Sequence, residues 1–178
     1  MALPAGDLWV FGYGSLMWRP DFPFQEARLA RLHGYHRALC VWSWVHRGTE
    51  TAPGLVMGLD LGGSCVGRVY RVAAADRTGV LDYLQAREMA TPVYQPHQGT
   101  FRVGTAPLDG LVFTVDRRHP QYAGKLAPET AARVVGGASG GSGANPEYVA
   151  NMVAHLRELG IADHHLEAVH ALVEAARF

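Results

Sequence analysis

Runs of strand character fill the first two thirds of the chain, while helical period is confined to one segment within them and to the last third. That distribution argues against a regular alternation of strand and crossover helix, so the predicted class is α+β. Strands are predicted over 8–11, 26–44 (long and bulged around Gly34), 55–61, 65–72, 92–103 and 111–116. Gly62-Gly63-Ser64 reads as a hairpin turn between the third and fourth of these. Helices are predicted over 75–89, where Val80, Leu81 and Leu84 form a stripe, and from Pro146 onward. Asn145 is expected to cap that second helix, and Tyr148, Met152, Leu156 and Leu159 to form its apolar face. A last helix is expected over 162–177, and the Gly- and Ser-rich segment 136–143 reads as a flexible connector. The pattern leaves open whether the sheet closes on itself.

The 178 residues fall within the size of one domain, so a single domain over 1–178 is expected. Lys+Arg and Asp+Glu both total 16, and no basic run marks a nucleic-acid or anionic-membrane surface. No apolar stretch reaches the roughly 18 residues that a membrane span needs, and Met1 to Gly6 lack the basic and apolar regions of a secretory signal. Only Cys40 and Cys65 are present, each in a strand-like run where a thiol behaves as a small buried hydrophobe. The expectation is a cytoplasmic protein with a small-molecule ligand and no nucleic-acid or membrane partner.

Two features carry chemistry. Gly12-Tyr13-Gly14-Ser15-Leu16 follows a buried strand, and successive backbone N–H groups in such a turn can make an anion or oxyanion site. A plain turn fits it equally well. Position 17 is Met, which excludes a dinucleotide fingerprint, and Ser15 lacks the Gly two residues on that a nucleophile elbow requires. The second feature is Glu88, about 40° from Leu84 on the helical stripe, which turns a carboxylate toward the core. There it is either an ion-pair partner of Arg87 or another arginine, or a general base with a raised pKa. The nine histidines show no HExxH spacing, and Asp163-His164-His165 fits the first turn of a solvated helix, so no metal site is expected. Trp9, Phe11, Trp42 and Trp44 read as core, and Tyr122 and Tyr148 carry no reading of their own.

These residues, taken in order, resemble the ChaC-like γ-glutamylcyclotransferases. The resemblance runs through residues 9–16, Leu32-His33-Gly34-Tyr35-His36-Arg37, Pro53-Gly54-Leu55-Val56, Gly62-Gly63-Ser64-Cys65, and Leu84 with Arg87-Glu88. It continues through His119-Pro120-Gln121-Tyr122-Ala123-Gly124 and Ser142-Gly143-Ala144-Asn145-Pro146-Glu147-Tyr148. It implies a curled, barrel-like sheet with helices, and conversion of glutathione to 5-oxoproline and cysteinylglycine without metal, nucleotide or other cofactor. It further implies Glu88 as the catalytic acid/base, Tyr13, Gly14, Ser15 and Leu16 as the substrate loop, and Tyr122 as a substrate-binding tyrosine. Thr91-Pro92-Val93-Tyr94 departs from the Gly-Gly-Tyr that many members carry after Arg-Glu. The alternatives are a cyclotransferase acting on other γ-glutamyl amino acids or amines, and a non-catalytic ligand-binding module on the same scaffold.

Overall fold

The structure, a computed structural model, describes residues 3–88 and 91–176. Met89 and Arg177, expected to end two of the helices, lie outside the described residues, as does Met1. The elements are β1 (Leu8–Gly12), a 3-10 turn at Ser15–Met17, β2 (Glu26–Ser43), β3 (Gly54–Val72), α1 (Arg77–Glu88), β4 (Tyr94–Val103) and β5 (Ala106–Val115). Then come α2 (Pro128–Gly137), β6 (Ser139–Gly140), β7 (Gly143–Ala144), α3 (Asn145–Glu158) and α4 (His164–Ala175). No helix among the described residues is long and apolar enough to cross a membrane. The chain forms two compact units, residues 1–37 with 58–119, and residues 38–57 with 120–178.

β1, β4, β5 and most of β2 and β3 lie in the first unit, and the sheet closes into a barrel in the order β1-β3-β2-β4-β5. β1 lies antiparallel to the end of β3, with Leu8 opposite Val72 and Gly12 opposite Arg68, and closure comes from a parallel contact between Val10 and Leu111 of β5. That contact depends on Gly110, where a Cβ would fall 2.4 Å from the Trp9 carbonyl oxygen. β4 and β5 form a hairpin in full register, from Val103 opposite Ala106 to Tyr94 opposite Val115. β5 thus starts five residues before the expected strand.

The expected hairpin at Gly62-Gly63-Ser64 is not formed, because β3 runs unbroken from Gly54 to Val72. Gly62 and Gly63 do take the positive φ values of a turn, 103° and 71°. Here those angles bulge one continuous strand beside β2, whose Gly34 has a φ of 85° and whose His36 Nδ1 lies 3.0 Å from the Gly62 oxygen. α1 packs by Val80 and Leu84 into a buried cluster with Val10, Leu111 and Leu16, and Leu81 is partly buried against it. Burying two such side chains stabilises by about 1.5–3 kcal/mol each, and it fixes the end of α1 relative to the loop after β1.

In the second unit α2, α3 and α4 bury one face each, including Val135, Met152, Leu156, Leu166 and Val169. The bounds of α2 were not legible from periodicity. Segment 136–143, expected to be flexible, is the end of α2 followed by the short β6–β7 pair. The Gly141 and Ser142 N–H groups donate to the carbonyls of Val45 and His46, and a Cβ on Gly140 would fall 2.6 Å from the Gly48 nitrogen. Asn145 is not the cap of α3, since Ala144 takes that position. Its fully buried amide instead pairs with Leu55, donating to the carbonyl at 2.8 Å and accepting from the N–H at 2.7 Å. The Tyr148 hydroxyl accepts from the Met57 N–H. Asp163 caps α4 by accepting from the Leu166 N–H, with His164 exposed as expected.

Of the four aromatic residues expected in the core, only Phe11 is fully buried; Trp9, Trp42 and Trp44 are half-buried. Cys40 and Cys65 are buried and in no disulfide.

Candidate active site

The loop leaving β1 turns at once. Gly12 is required at the strand end, since a Cβ there would lie 2.9 Å from that of Leu16. Ser15–Met17 then form a single 3-10 turn, with the Met17 N–H donating to the Gly14 carbonyl and the Trp18 and Arg19 N–H groups to that of Ser15. Tyr13 and Leu16 are buried, and Ser15 is half-buried.

The carbonyls that this turn leaves over are taken by side chains from the barrel strands. Arg37 of β2 donates from Nε to the Tyr13 carbonyl at 2.6 Å, and from Nη2 to Val66 at 2.7 Å. The Tyr70 hydroxyl lies 2.8 Å from the carbonyl oxygens of both Leu16 and Met17, and Arg68 Nη1 donates to Met17 at 2.9 Å. The N–H groups of Gly14, Ser15 and Leu16, by contrast, donate to no backbone carbonyl among the described residues. A loop whose acceptors are occupied and whose donors are not carries positive potential, as an anion or oxyanion site requires.

Glu88 is the last described residue of α1, one turn beyond the buried Leu84, and its side chain is 17% exposed. Burial raises its pKa above the ordinary 4.5, opposed by the charge of Arg87. Arg87 Nε stands 3.4 Å from its Oε1, and burial outweighs that charge in setting the direction of the shift.

Arg87 joins the two features. Its Nη2 donates to Ser15 Oγ at 3.0 Å, and its Nη1 donates to the Arg19 carbonyl at 2.7 Å and lies 2.8 Å from the Tyr83 hydroxyl. The structure thus links Glu88 through that guanidinium to Ser15, in the same loop as Tyr13, Gly14 and Leu16. Tyr122 belongs to the second unit, where it forms an isolated antiparallel bridge with Val41.

Arg68 and Tyr70 were not singled out from sequence, Arg37 entered only within a matching stretch, and Arg87 only there and as an ion-pair partner. The signal for Arg68 was present, an arginine in the strand run Val66-Gly67-Arg68-Val69-Tyr70, where a charge must find acceptors.

Comparison with known proteins places this arrangement in context. Residues 8–176 match the family model described as ChaC-like protein. The glutathione-specific γ-glutamylcyclotransferase of Escherichia coli is 35% identical over 159 residues, covering 89% of this chain and 69% of that protein. The human glutathione-specific γ-glutamylcyclotransferase 1 is 34% identical over 169 residues, covering 91% and 76%. Among solved structures, a yeast γ-glutamyl cyclotransferase specific to glutathione superposes with a TM-score of 0.86 at 23% identity, covering 96% of each chain, which speaks for the fold. With the match spanning the strand, loop and helix that build the constellation as well as the helices that follow, the chain belongs to the ChaC-like family.

Proposed function

We propose that this protein is a γ-glutamylcyclotransferase that degrades glutathione, with Glu88 as its acid/base. The observation that carries the reading is a largely enclosed carboxyl, Glu88, linked through Arg87 to Ser15 of a loop whose N–H groups at 14–16 donate to no backbone carbonyl among the described residues. E. coli and human relatives named for this activity, each at least 34% identical, supply the substrate class.

The chemistry asks little of the enzyme beyond placement and proton transfer. In a γ-glutamyl amide the α-amine can reach its own γ-carbonyl, so the nucleophile comes with the substrate and orientation supplies much of the rate. Glu88 accepts a proton from the ammonium, and the freed amine attacks the γ-carbon to close a five-membered ring. Negative charge on the carbonyl oxygen is met by fixed donors, for which the N–H groups of Gly14, Ser15 and Leu16 are suited. Glu88 then returns the proton to the departing amide nitrogen as the old carbon–nitrogen bond breaks, and the ring nitrogen's second proton passes to the freed amine, releasing 5-oxoproline and cysteinylglycine in its ammonium form. A raised pKa suits a group that must both take and give a proton near neutrality. Buried, unbridged cysteines fit the reducing environment of the cytoplasm.

Incubation with glutathione tests the reading through release of 5-oxoproline and cysteinylglycine in equal amounts. Binding without product would support a ligand-binding module instead. Comparing kcat/KM for glutathione and γ-glutamylalanine decides the substrate: a preference for glutathione of about 10-fold or more needs only one or two contacts to the thiol-bearing residue or the glycine carboxylate. Equal values would favour a cyclotransferase of broader range.

A further inference from the structure

We propose that Arg87 is the positioning residue of this site, fixing the Ser15 hydroxyl as a donor to the substrate while holding the Glu88 carboxylate with the same guanidinium. The inference rests on the cyclotransferase reading and extends it to a residue that does not itself react.

A guanidinium has five N–H donors and no acceptor, so in the 3.0 Å contact between Arg87 Nη2 and Ser15 Oγ the serine accepts. That contact occupies a lone pair of Oγ and leaves the hydroxyl proton to be given elsewhere. Among the described residues the Ser15 hydroxyl has no acceptor of its own. Ser15 O–H thereby joins the N–H groups of Gly14, Ser15 and Leu16 as a donor for an oxyanion or carboxylate. A neutral or shorter side chain at position 87 would leave Oγ free to rotate and to accept, removing a donor where charge develops.

The rest of Arg87 is held on several sides. Nη1 donates to the carbonyls of Arg19 and Pro20 and meets the Tyr83 hydroxyl, and the guanidinium carbon lies 5.9 Å from the centre of the Tyr83 ring. The charged and titratable groups around it are Glu88 and Tyr83 on its own helix, Asp21 on the segment after the loop at 3.6 Å, and Tyr70 and Arg68 of β3. Asp21 is 64% exposed and only weakly offsets the arginine, whereas Glu88 is largely enclosed and feels its charge directly. A fork of this shape can serve Ser15 and Glu88 together; a lysine ammonium supplies the charge without the fork.

The experiment combines a double-mutant cycle with a substrate-free titration. kcat/KM for glutathione is measured for wild type, Ser15→Ala, Arg87→Met and the double variant, with thermal unfolding confirming that each folds. Ser15→Ala is expected to lose about 10-fold in wild type and less than about 3-fold in the Arg87→Met background, as for groups that act as a unit. Equal losses in both backgrounds overturn the proposal. Independently, the Glu88 carboxyl is titrated by 13C NMR in wild type, Arg87→Met and Arg87→Lys. The expected result is a rise in its pKa in the methionine variant and a value near wild type in the lysine variant; should the methionine variant fail to fold, Ser15→Ala in the Arg87→Lys background replaces it, where a loss of about 10-fold, as in wild type, overturns the proposal because lysine lacks the fork. A titration unmoved by either substitution overturns the proposal whatever the turnover. Absence of glutathione turnover in wild type would count against the cyclotransferase reading instead, and the NMR arm would still decide the part played by Arg87.

Discussion

Two glycine-rich stretches, Gly12 to Leu16 and Gly136 to Asn145, look alike in composition and differ in what they do with their backbone. In the second, N–H groups are consumed by backbone carbonyls: Gly141 donates to Val45, Ser142 to His46 and Asn145 to Ala138. Its glycines allow close backbone approach, as at Gly140 against Gly48. In the first, arginine and tyrosine side chains take the carbonyls of Tyr13, Leu16 and Met17, while the N–H groups of residues 14–16 find no backbone acceptor among the described residues. Glycine content marks a place where the chain bends sharply or packs tightly. Which polar groups are left over after folding is what separates a ligand site from a structural joint.

The comparison predicts opposite failures in the two regions. Glu88→Gln, which keeps shape and removes the base, should lower kcat for 5-oxoproline release by at least ~10²-fold while the protein folds normally. Unaltered kcat would remove Glu88 from the chemistry. Asn145→Ala should do the reverse. It deletes two buried hydrogen bonds to Leu55 and leaves that residue's N–H and carbonyl unpaired, so unfolding in urea should show a loss of about 3 kcal/mol with turnover of the folded fraction unchanged. A variant of full stability would mean that water replaces the amide and that the second stretch is not the joint described above. A smaller effect is expected of Gly12→Ala, whose Cβ would press on Leu16 and shift the donor loop. It should lower kcat/KM for glutathione by about 10-fold, the effect of losing one well-placed hydrogen bond to a charged group. An unchanged kcat/KM would show that the loop tolerates displacement and does not orient the substrate.

Much of this was legible in residue order. The α+β class follows from the placement of strand and helix patterns, and the stripe Val80, Leu81, Leu84 put Glu88 on the inward face of its helix, where it lies. Gly62-Gly63 shows where such reading stops. Positive φ at both residues suits either a reversal or a bulge, and only pairing along β2 and β1 decides for one long strand. Segment 136–143 was misread for a similar reason: its order comes from Val45, His46 and Gly48, about ninety residues earlier in the chain. The capping of the loop by Arg37, Arg68 and Tyr70 is equally non-local, so no spacing within residues 12–17 could announce it.

The smallest expected effect concerns the balance at Glu88 between burial, which raises its pKa, and Arg87, which lowers it. Because burial outweighs the arginine, the folded protein holds the carboxyl proton to a higher pH than the unfolded chain, which releases it near 4.5. Between those two values the folded state binds more protons, so this group's contribution is complete below 4.5 and stability is lost as pH rises through the folded pKa. Glutamine at 88 stays neutral throughout. The stability of Glu88→Gln relative to wild type should therefore increase as pH rises from below 4.5 and level off above the folded pKa, as read from urea unfolding at a series of pH values. A difference running the other way, with wild type gaining on the variant as pH rises, would mean that attraction to Arg87 outweighs desolvation. Glu88 would then be a structural ion-pair partner, and the first loop, like the second, a joint.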